Sequence, residues 1–162
     1  MYKATEVAWR MLKVAKEKDI QLSNLQLQKL VYIAHGYFLG WKSKPLVSEA
    51  VVAWKYGPVL DQVYHEFKSF KDQKIPVDKI EDVITDLDDD DDANTVIEGV
   101  LKLYGENDAI SLVNLTHQPE TPWDEVWNIN DGCNKLSAEI PNDLIKNHFR
   151  KVISSPKSVK GL

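Results

Sequence analysis

The chain has 162 residues, 43% apolar and 28% charged, with one cysteine and a net charge of −5. This is the composition of an ordinary globular protein of one domain, long enough to bury a core. A lone Cys133 excludes an internal disulfide framework and a thiolate zinc cluster, and no apolar run reaches the length of a membrane helix. The charge is unevenly placed. Nine acidic residues and one lysine between Asp78 and Asp92 give that segment −8 and leave +3 for the rest. A near-neutral body with one acidic segment has no basic stripe, which argues against nucleic acid as the main partner. The polar start, Met1 to Glu6, shows no signal peptide, so a reducing cytoplasmic setting is expected.

A first helix is predicted over Thr5 to Asp19, with Val7, Ala8, Met11, Leu12, Val14 and Ala15 on its apolar face. Ser23-Asn24-Leu25-Gln26 reads as a capping box opening a second helix that ends near Gly40. Apolar residues surround that helix, which marks it as central. Leu46 to Trp54, after Pro45, is a short strand or hairpin. Gly57-Pro58 is a forced turn, with Pro58 in the first turn of a third helix running to about Phe70. Ile75 to Thr85 is irregular. The aspartates of 86–92 repel one another and are expected to form a mobile loop, ending at the N-terminus of a fourth helix over Ala93 to Tyr104. Asp108 to Leu115, Pro122 to Asn130 and a segment from Asn142 supply three more helices. The fold class is thus mainly α, a bundle of about seven helices with a minor β element near residues 46–54. Residues 1–153 form one domain, and 154–162 form a flexible tail.

Three segments stand together in order and spacing. They are Leu27-Gln28-Lys29-Leu30-Val31-Tyr32-Ile33-Ala34-His35-Gly36, Ala53-Trp54-Lys55-Tyr56-Gly57-Pro58-Val59, and Leu115-Thr116-His117 followed by Pro122-Trp123. With them the chain resembles the Panacea domain, the SocA-like antitoxin family of bacteria, archaea and phages, from about Ala4 to Phe149. The resemblance implies a mainly helical, phage-associated type of domain that binds and neutralises a toxin protein encoded beside it. It leaves open a second mode, an adaptor that hands the toxin to a protease. No cofactor, metal or catalytic residue is expected from the residues themselves. The run Asp88 to Asp92 is not part of the family pattern.

The aromatic residues Trp54, Tyr56 and Trp123 suit either core anchors or a partner groove. Gln28, Lys29 and Tyr32 on the second helix are candidates for a polar partner strip beside the aromatic turn. His35 and His117 are the histidines with any claim on chemistry. No metal-ligand spacing, glycine-rich phosphate loop or nucleophile elbow accompanies them, so a small hydrolase or nucleotide-handling enzyme is the weaker alternative. Their expected role is to pin helices by hydrogen bonds or to face a partner. Cys133 is expected to behave as a buried or half-buried small apolar residue. The aspartates Asp88, Asp89, Asp90, Asp91 and Asp92 suit a solvated loop, or a lure for a basic cleft on a toxin that acts on RNA.

Overall fold

The computed structural model describes residues 1–80, 85–155 and 162. Among them are seven α-helices and one three-stranded sheet. The helices are α1 (Ala4–Glu17), α2 (Asn24–Lys42), α3 (Asp61–Phe67), α4 (Asp91–Tyr104), α5 (Ala109–Thr116), α6 (Pro122–Asp124) and α7 (Asn142–Ser154). The strands are β1 (Val51–Trp54), β2 (Gly57–Val59) and β3 (Ala138–Ile140), in the order β2-β1-β3 and antiparallel throughout.

Helix α2 is the axis of the molecule. It begins with the expected capping box: the Ser23 hydroxyl accepts from the Gln26 amide, and the Gln26 side chain accepts from the Ser23 amide. Fourteen of its nineteen residues are buried, because α1, α4, α5 and α7 all pack on it. Its contact with α7 is close for a simple reason. A methyl group at Gly36 would collide with the Phe149 ring, and one at Gly40 would lie 3.1 Å from the Phe149 backbone. Two small residues one turn apart let the backbones approach. Phe149 then meets the edges of Tyr32 and Tyr37 at ring-centre distances of 5.9 and 5.2 Å.

The β element differs from expectation in three ways. It lies over Val51–Val59 rather than 46–54, since Val47 instead lies opposite Tyr2, whose amide donates to the Leu46 carbonyl and whose carbonyl accepts from the Ser48 amide. Pro58 belongs to β2 and not to the first turn of α3, which starts at Asp61. Pro58 tolerates that place because β2 is an edge strand and its ladder-facing neighbours, Gly57 and Val59, carry the bonds to β1. A third strand, β3, closes the other side, with Val51 opposite Ile140 and Ala53 opposite Ala138.

The acidic segment is not a loop in this structure. Residues Asp86–Asp89 form a 3-10 turn, and Asp90 caps α4 by accepting from the Ala93 amide. Leu87 is fully buried and anchors the turn. Like charges are tolerated because cations and a phenol from other elements meet them. Asp88 lies 2.9 Å from Arg10 and 3.8 Å from Lys13, Asp92 lies 2.6 Å from Lys42, and the Tyr2 hydroxyl donates to Asp90 at 2.7 Å. Asn94 adds three hydrogen bonds to the carbonyls of Leu87, Asp88 and Asp90. Part of the irregular stretch expected before Thr85, residues 81–84, lies outside the described residues.

After α6 the helix continues as a π-type turn over Glu125–Ile129. Cys133 is exposed rather than buried, in a 3-10 turn over Gly132–Asn134. Most of the expected tail, 156–161, is outside the described residues. Ser154 still belongs to α7, and the Leu162 amide donates to the Leu115 carbonyl at 2.8 Å.

Candidate partner-binding site

The site grows from the Trp54-Lys55-Tyr56-Gly57 hairpin. Gly57 carries a φ of +107°, a conformation costly for any residue with a Cβ. The same position has no room: a Cβ there would sit 2.8 Å from Lys29 Nζ and 3.1 Å from Thr116 Oγ1. The turn is held from below by two rings of the α5–α6 region. Trp123 Nε1 donates to the Trp54 carbonyl at 2.7 Å, and His117 Nε2 donates to the Lys55 carbonyl at 3.1 Å. These two rings stack on each other at 3.7 Å, and Trp127 lies against Trp123 at 5.8 Å. Thr121 caps α6 and Pro122 fills its first position, which aims Trp123 at the turn.

The hairpin's outer strand is held from α2. Lys29 Nζ donates to the Pro58 carbonyl at 2.9 Å. The Gln28 amide takes both main-chain groups of Leu60: its Oε1 accepts from the Leu60 amide at 3.1 Å and its Nε2 donates to the Leu60 carbonyl at 3.2 Å. Gln28 thus imitates the neighbouring strand that β2 lacks. Lys29 is fully buried, and burial pulls its ammonium down from 10.5 to about 7.

The clamped turn projects Tyr56, which is 62% exposed, with Lys55 over its ring at 5.6 Å. Trp54 is half-buried and meets the exposed Tyr64 edge-on at 5.2 Å. Tyr64 in turn meets His65 at 5.4 Å. The result is a rigid tip carrying three partly or wholly exposed aromatic rings.

The thirteen positions singled out from the sequence fall into three groups. Trp54, Tyr56, His117 and Trp123 come together at the hairpin; Tyr56 points outward, while Trp123 is buried and serves the turn. Gln28, Lys29, Tyr32 and His35 are all buried, so they offer no side-chain surface here. Asp88, Asp90 and Asp92 are engaged by the body of the protein, whereas Asp89 and Asp91 are exposed.

His35 holds distant segments together. Its Nδ1 accepts from the Val47 amide at 3.4 Å, and its Nε2 donates to Asn142 at 3.0 Å. That pattern requires the neutral ring, and burial pushes its pKa down to about 4. The Tyr32 hydroxyl is buried without a hydrogen-bond partner among the described residues. Tyr64, directly after the buried Val63 on α3, is exposed.

Among the described residues no cluster of histidine, cysteine or carboxylate side chains could hold a metal ion, and no helix is long and apolar enough to cross a membrane. Fold and site together define a mainly helical domain that displays a clamped, aromatic-tipped hairpin. The chain belongs to the SocA-like antitoxin family: the family model described as "Antitoxin SocA-like, Panacea domain" matches residues 27–124, which hold all three sequence segments. It is also 39% identical over 155 residues to Antitoxin SocA of Caulobacter vibrioides (strain NA1000 / CB15N), across 91% of this chain and 82% of that protein. No solved structure matches the chain. Membership of this family supports an antitoxin role and, with it, a toxin as partner in general.

Proposed function

We propose that the chain neutralises a toxin protein encoded in the same locus by binding it directly in the cytoplasm, with the clamped hairpin as the main contact. The observation that carries this is Tyr56, 62% exposed on a turn whose two carbonyls are fixed by Trp123 and His117. A large ring held in place loses little freedom on binding, which is why such residues dominate interfaces. Trp54 and Tyr64 extend the contact on one side. Binding rather than catalysis fits the histidines, since both ring nitrogens of His35 and the Nε2 of His117 are committed to structural hydrogen bonds.

The test is co-expression with the toxin encoded by the neighbouring gene. The native chain is expected to restore growth and to elute with the toxin as a stable complex. Because Tyr56 is exposed, Tyr56→Ala leaves the fold intact and is expected to weaken the complex by about tenfold or more. Full rescue by Tyr56→Ala would move the contact elsewhere. A toxin half-life shortened by the chain, with no complex accumulating, would favour delivery to a protease.

A further inference from the structure

The sheet has two edges, and they are treated differently. On β2 the outward groups are closed by α2. Pro58 gives its carbonyl to Lys29, and Leu60 gives both main-chain groups to Gln28. Pro58 and Leu60 therefore face away from the ladder, and Gly57 and Val59 face β1. Antiparallel ladders alternate, so Trp54 and Val52 bond to β2, and Ala53 and Val51 bond to β3. On β3 it follows that Ala138 and Ile140 point their main-chain groups at β1, while Glu139 points its N–H and C=O outward. Among the described residues no strand lies on that side.

The side chains around this edge specify what would cover it. Ala138 and Ile140 are buried on one face, and Leu136, in the bend just before the strand, is fully exposed at 104%. Glu139 is exposed on the opposite face. Glu125 opens the π-type turn that packs against β3, and residues 120–140 carry five acidic residues and one lysine.

We propose that the outer edge of β3 accepts an extended segment of the protein partner as a fourth strand, one that alternates apolar and basic residues. Its main chain bonds to Glu139, its apolar side chains cover Leu136, and its basic side chains face Glu139 and the acidic rim. The inference rests on the reading of the chain as a toxin-binding protein and names how the toxin is held.

The experiment uses the full chain labelled for amide NMR, titrated to millimolar concentration with a blocked peptide alternating lysine and valine. Exchange of the Glu139 amide is expected to slow by about tenfold or more. The same peptide N-methylated on the main-chain nitrogens of its lysines, which stand opposite Glu139 in an antiparallel pair, keeps its charge and is expected to have no such effect. An unchanged Glu139 amide, or protection confined to residues 86–92, overturns the inference, as does equal protection by the methylated peptide. Leu136→Ser and Glu139→Pro are then compared in the toxin complex, since a proline is compatible with an edge N–H that faces solvent. A complex of normal affinity with both variants overturns the inference and leaves the antitoxin reading standing. Failure of the native chain to bind the toxin overturns that reading instead, while the peptide result still decides the edge.

Discussion

Lys29 shows how a single residue ties stability to pH. Its ammonium is fully buried, it donates to the Pro58 carbonyl, and burial brings its pKa from 10.5 to about 7. The folded state therefore favours the neutral amine. Between about pH 7 and 10.5 the unfolded chain binds the extra proton, so raising the pH through this window stabilises the fold; below it both states are protonated and the effect is flat. The slope approaches about 1.4 kcal/mol per pH unit for one proton. Above about pH 10 the tyrosines reverse the trend, because burial and the bond to Asp90 push Tyr2 up to about 12 and unfolding then releases its proton. Urea unfolding at pH 7 and pH 9 is expected to show the native chain more stable at pH 9 by roughly 2 kcal/mol. Lys29→Met is expected to show no such gain. A native chain equally stable at both values would mean that Lys29 keeps its charge inside the fold. The sequence hid this role because a lysine on a helix is ordinarily read as solvent-facing, and only the folded chain brings the Pro58 carbonyl to it.

The hairpin is the element on which the proposed function turns, and its rigidity has a separable cause. Trp123 contributes both packing and one hydrogen bond to the Trp54 carbonyl. Trp123→Phe keeps most of the packing and removes the donor. Losing a hydrogen bond of this kind costs about 1 kcal/mol, more where the carbonyl stays shielded from water. The expected outcome is a modest drop in stability, with faster amide exchange concentrated at Tyr56 and Gly57 rather than spread over α2. Uniform loss would show that Trp123 acts through the core alone. Elements built from local signals were legible in advance: the Ser23–Gln26 capping box, Thr121-Pro122 before Trp123, and the glycine of the turn. The aromatic site was legible as a cluster of residue types, yet not which ring points out, because that depends on His117 and Trp123 arriving from more than sixty residues away. Strand β3 was not legible, since its three residues, with an exposed glutamate in the middle, leave too short a pattern to read.

At the scale of the whole molecule, the acidic segment is where docking and charge must be separated. A like-charge run looks unable to pack, but its partners Tyr2, Arg10, Lys13 and Lys42 lie far upstream, and only the tertiary fold brings them in. Asp88, Asp90 and Asp92 are therefore part of the scaffold. Asp86, Asp89 and Asp91 are exposed and give this face its field. Replacing all five aspartates of 88–92 would confuse the two roles, because Asp88 pairs with a half-buried Arg10. The informative variant is Asp86→Asn with Asp89→Asn and Asp91→Asn. It is expected to unfold within about 0.5 kcal/mol of the native chain, as exposed substitutions usually do. If the segment steers a basic toxin, the variant's association rate with that toxin at low salt falls by about threefold to tenfold and its salt dependence flattens, while the dissociation rate changes little. Asp88→Asn is expected to do the opposite, lowering stability through Arg10 with a smaller effect on encounter. Stopped-flow association at two salt concentrations, beside urea unfolding, separates the cases. An on-rate and salt slope unchanged in the triple variant would assign the whole segment to holding α4 against α1.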